Sequence, residues 1–75
     1  MDIEKKYLMN ERTEIGKNVE ENVIESIEDL TRILDFVFEG IDAGQIDKVM
    51  GNRFMAEIKN AIKFLDRALS IANRM

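Results

Sequence analysis

The sequence contains no cysteine, histidine, tryptophan or proline. Each absence closes a route. Without cysteine there is no disulfide framework, thiol nucleophile or iron–sulfur cluster. Without histidine there is no imidazole base, no Ser/His/Asp triad and no Glu-x-x-His di-iron motif. With both missing, the usual zinc ligands are gone. The opening Met1-Asp2-Ile3-Glu4-Lys5-Lys6 lacks the apolar core of a signal peptide. No run approaches the ~18–20 apolar residues of a membrane span. The expectations are a cytoplasmic location, no membrane contact, no metal and no cofactor.

What is present belongs to a folded helical chain. Of the 75 residues, 45% are hydrophobic and 35% charged, with only four glycines. That mixture suits a soluble domain, and the lack of proline leaves long stretches free to be helical. The size sets a problem, because below roughly 70–80 residues one core rarely suffices without staples, metals or partners. Self-association is the remaining device.

Hydrophobic periodicity divides the chain. Residues 1–17 read as a short amphipathic helix and linker, with Ile3, Tyr7 and Leu8 at helical spacing and Gly16 as a break. Residues 18–40 read as the first long helix, capped by Asn18 with Glu21 three residues on. Its face is Val19, Val23, Ile27, Leu30, Leu34, Val37 and Ile41, in steps of three and four. Gly40 stands where a C′ glycine would end it. Residues 41–51, with Gly44 and Gly51, form the connection. Residues 52–75 form the second long helix, capped by Asn52, with Phe54, Ile58, Ala61, Leu65, Ala68 and Ala72 on its face. The fold class is all-α, in one domain: a short N-terminal helix followed by two long antiparallel helices, a helical hairpin, assembling into an oligomeric bundle.

The oligomer is expected because the apolar stripe is too wide for a hairpin. With Ile58, Leu65 and Ala72 as heptad a and Phe54, Ala61 and Ala68 as d, the e positions are Met55, Ile62 and Leu69, and the g positions include Phe64 and Ile71. On the preceding helix Ile24, Ile33, Phe36 and Phe38 flank the seam. A two-helix seam needs two apolar positions in seven and a surface helix about three. The surplus marks an interface, worth about 1.5–3 kcal/mol for each large side chain fully covered.

Charge is segregated. Residues 19–40 carry seven acids and one base, and residues 52–75 five bases and two acids. Structurally, opposite charges favour pairing of the two rods. Functionally, Arg53, Asn60, Arg67 and Arg74 share heptad c, with Lys59 and Lys63 beside them. Such a stripe suits phosphate, because guanidinium forks match phosphate oxygens. The net charge of −4 argues against nucleic acid as the partner. Tyr7, beside Lys5 and Lys6, is either the anchor of the short helix or a ring that stacks on a base.

Two resemblances bear on function. Glu25-x-x-Glu28 resembles the ExxE half of the Mg²⁺ motif of MazG-like nucleotide pyrophosphohydrolases. Its ExxD half would fall on Glu57-Ile58-Lys59-Asn60, with an amide where an acid is needed. A hydrolase is therefore a distant alternative, and no enzyme activity is expected.

The second resemblance is to the small phage sponge proteins of the anti-CBASS and anti-Thoeris group. Lys6-Tyr7-Leu8-Met9-Asn10-Glu11 resembles their tyrosine-led start, and Arg53-Phe54-Met55 the opening of their last helix. Ser70-Ile71-Ala72 departs from the large aromatic that often precedes an Ala there. The resemblance implies oligomers that sequester a cyclic-nucleotide signal in pockets between protomers, without catalysis and in the cytoplasm of a host cell. Tyr7 would stack a base, and Arg53, Lys59 or Arg67 would meet phosphate. A helical module that inhibits or adapts a host protein is the alternative.

Overall fold

The computed structural model describes residues 13–75. Two helices, α1 (Glu14–Asp42) and α2 (Lys48–Ala72), pack against each other as a hairpin. The expected short N-terminal helix falls largely on residues 1–12, outside the described residues. No described helix is long and apolar enough to cross a membrane.

Both helices begin earlier than Asn18 and Asn52 imply. Thr13 caps α1: its backbone is extended and its hydroxyl accepts from the Gly16 amide at 2.9 Å. Asp47 caps α2, accepting from the Met50 amide at 2.9 Å. Both satisfy a donor that the first turn leaves unpaired. Gly16 is not a break. It lies buried inside the first turn of α1, where a Cβ would stand 2.6 Å from the Met75 main-chain carbon and oxygen. The glycine lets the two chain segments meet.

Gly40 does not end α1 either. The helix runs to Asp42, and the residue with positive φ (74°) is Gly44. The Gln45 amide bonds to the Gly40 carbonyl at 2.8 Å and the Gly44 amide to the Ile41 carbonyl at 3.0 Å. This is the Schellman arrangement, with Gly44 at C′. Gly40 serves instead as a floor for Ile46, whose Cδ1 would lie 2.5 Å from an added Cβ. Gly51, in the first turn of α2, makes room for Ile41 in the same way, at 2.5 Å. The expected connection 41–51 thus contracts to 43–47, because both of its flanks are helical.

These contacts fix the register. Gly16 meets Met75 at one end, and Gly51 meets Ile41 at the other. The seam between them follows the periodicity. Val19, Val23, Ile27, Leu30, Leu34, Val37 and Ile41 on α1 are partly buried, as are Ile58, Ala61, Leu65 and Ala68 on α2. Leu30 and Ala61 lie equally far from the Gly16–Met75 contact, so a large residue stands level with a small one, which lets helices approach closely. Polar residues away from the seam bond within α1: Asn22, Ser26 and Thr31 donate to the carbonyls of Asn18, Asn22 and Ile27, each at 2.9 Å.

The seam leaves little fully enclosed. Among the described residues Ala72, 2% exposed, is the one buried hydrophobic side chain. The ion pair between described residues joins Arg32 to Asp29 at 3.0 Å, within α1 and mostly exposed. Such a pair is worth at most about 1 kcal/mol.

Candidate binding surface

Side chains beside the seam remain in solvent. Phe36, Phe38, Phe64 and Ile71 are 62–65% exposed, and Ile24 and Ile33 are exposed to a lesser degree. Met55, Ile62 and Leu69 are partly buried, because α2 turns its e side towards α1. Heptad geometry sorts these residues onto two broad faces. The two-fold that relates antiparallel helices carries e onto e and g onto g. Ile24 and Phe38 therefore share a face with Met55, Ile62 and Leu69. Ile33, Phe64 and Ile71 share the other, and Phe36 lies on its α1 rim.

Arg53, Asn60, Arg67 and Arg74 form a row along α2, all exposed. The row does not converge. Arg53 and Arg67 are fourteen residues apart, roughly 21 Å along the axis at ~1.5 Å per residue. Lys59 immediately precedes Asn60 and so lies about 100° round the helix from the row. Lys63 lies between these directions. These residues line one side of a rod rather than the wall of a pocket. Tyr7 lies outside the described residues.

Arg53 and Arg67 border apolar surface. The Arg67 guanidinium carbon stands 5.4 Å from the centre of the Phe64 ring, within the ~6 Å reach of a cation–π contact. Arg53 lines an open groove of about 470 Å³ with Met50, Phe54, Ala56 and Glu57. A second groove of about 370 Å³ adjoins it, lined by Val37, Ile46, Met50, Gly51 and Phe54. Phe54, expected in the seam, stays 45% exposed between the two. Val37 comes to the groove from the expected face, whereas Ile46, Met50, Ala56 and Glu57 are groove residues that the periodicity does not single out. Their signal in the sequence is indirect: Gly40 and Gly51 mark the end where α1, the turn and α2 meet.

Glu25 and Glu28 are exposed on α1, and Glu57 on α2. No group of three or more carboxylates able to hold a metal ion occurs among the described residues. No family model, curated protein or solved structure matches the chain.

Proposed function

We propose that the protein acts by binding rather than by catalysis, and that its working form is an assembly of its own copies. One observation carries this reading: a chain with a single buried hydrophobic side chain among its described residues exposes five Phe and Ile side chains by more than half. Covering each would contribute about 1.5–3 kcal/mol. Light scattering at micromolar concentration tests it, and a mass equal to one chain would overturn it. A monomer whose faces capture a helix of another protein would instead support the adaptor alternative.

A second reading concerns the ligand. Arg53 and the half-exposed Phe54 ring border one open groove, pairing a guanidinium for phosphate with a ring for a base. This supports sequestration of a phosphate-bearing small molecule, a cyclic nucleotide by the resemblance to the phage sponges, between copies and without chemical change. A thermal-shift screen against cyclic di- and trinucleotides tests it, with Arg53→Ala as control. No shift with any of them would remove this reading.

A further inference from the structure

Two rows of side chains on different helices share one period. On α1, Glu14, Glu21, Glu28, Asp35 and Asp42 recur at every seventh residue, all exposed. Ile24 and Phe38 lie three or four residues from their neighbours in that row, which makes them adjacent on the helix surface. On α2, Arg53, Arg67 and Arg74 recur at the same spacing, with Asn60 in the fourth place. Met50, Phe64 and Ile71 lie three or four residues from these arginines and are 62–65% exposed. Each helix thus carries a strip of exposed apolar side chains edged by a line of one charge, with Thr31, its hydroxyl turned back to the Ile27 carbonyl, between Ile24 and Phe38 on α1. The lines have opposite sign and the same pitch of about 10.5 Å.

Within one chain the two strips cannot meet. Ile24 and Phe38 occupy e positions of α1, whereas Met50, Phe64 and Ile71 occupy g positions of α2, so the strips lie on opposite broad faces. We infer that the acid-edged strip of α1 on one copy docks against the arginine-edged strip of α2 on a second copy. This rests on the self-association proposed above and specifies its geometry. The apolar strips meet at the centre and the charges pair at the rim, the usual anatomy of a specific interface. A contact between two different surfaces leaves one of each unused at the ends. It therefore propagates into a ring or a longer stack and does not close as a two-fold dimer.

Charge reversal tests this. One variant carries Glu21→Lys, Glu28→Lys and Asp35→Lys. The other carries Arg53→Glu, Arg67→Glu and Arg74→Glu. All six sites are exposed, and circular dichroism checks that each chain stays helical. Light scattering is expected to show each variant alone dissociating, with Kd raised about tenfold or more, and an equimolar mixture reassembling. Wild-type mass in either variant, a mixture that stays monomeric, or a wild type that stops at a dimer would overturn the docking while leaving self-association in place. A monomeric wild type would overturn both. If a reversed chain loses its helical signal, Glu21→Gln, Glu28→Gln and Asp35→Asn together take its place, with Kd followed in rising NaCl. The wild type is expected to weaken with salt and the neutralised chain to do so less. Equal salt dependence overturns the docking.

Discussion

The Thr13 hydroxyl joins both ends of the hairpin: it accepts from the Gly16 amide at 2.9 Å and donates to the Met75 main-chain oxygen at 3.2 Å. The Thr13 amide donates to the same oxygen at 3.3 Å. One side chain thus caps α1 and holds the end of α2 beside it. Thr13→Val keeps the shape and removes both hydroxyl bonds. It is expected to cost about 1–2 kcal/mol, while Thr13→Ser stays within about 0.5 kcal/mol of wild type. Urea unfolding at fixed chain concentration measures both, and equal midpoints would show that the closure contributes nothing.

Gly44 and Gly51 are expected to fail for different reasons. At Gly44, φ is 74° and an added Cβ meets nothing within 4 Å. Gly44→Ala therefore costs backbone strain alone, about 1–2 kcal/mol, and Gly44→Asn less. At Gly51 the cost is steric, because Ile41 Cδ1 would lie 2.5 Å away. Ile41→Val deletes that atom, so the double variant with Gly51→Ala should be less destabilised than the two single changes added together. Strict additivity in thermal unfolding would contradict this account.

Phe64→Gln and Ile71→Gln distinguish a bare hairpin from an assembled one. In a lone chain such exposed positions tolerate substitution within about 0.5 kcal/mol. In an assembly that covers them, each is expected to cost about 1.5–3 kcal/mol. The wild-type Tm should also rise with chain concentration. Calorimetry at two concentrations a hundredfold apart reads both effects.

For the groove at Arg53, Arg53→Ala is expected to abolish a ligand-induced thermal shift, and Lys59→Ala, turned about 100° from the row, to leave it. The reverse pattern would move the site to the other side of α2.

The seam was legible because steps of three and four from Val19 to Ile41, and from Ile58 to Ala72, admit one helical face. The boundaries were not. Asn18 and Thr13 are both good caps, as are Asn52 and Asp47, and nothing local ranks them. Four glycines look alike in sequence, yet only Gly44 uses a positive φ. Gly16, Gly40 and Gly51 are small because Met75, Ile46 and Ile41 approach them, and such approach is a property of the folded pair. The arginine row was visible from its period. That Arg53 and Arg67 do not converge follows from the length of α2, and the groove adjoining that of Arg53 from the way Ile46 folds back over Gly40.

The glycine contacts at the two ends of the seam make the hairpin a measured length. Sliding one helix along the other by a heptad would leave the seam's apolar pattern almost unchanged, but it would carry Gly16 away from Met75 and Gly51 away from Ile41 together. An insertion of seven residues in α1 alone faces the same loss. Matched insertions in both helices do not. Such a chain can lengthen only in paired steps, and each paired step would add one more acid to one strip and one more place to the arginine row on the other.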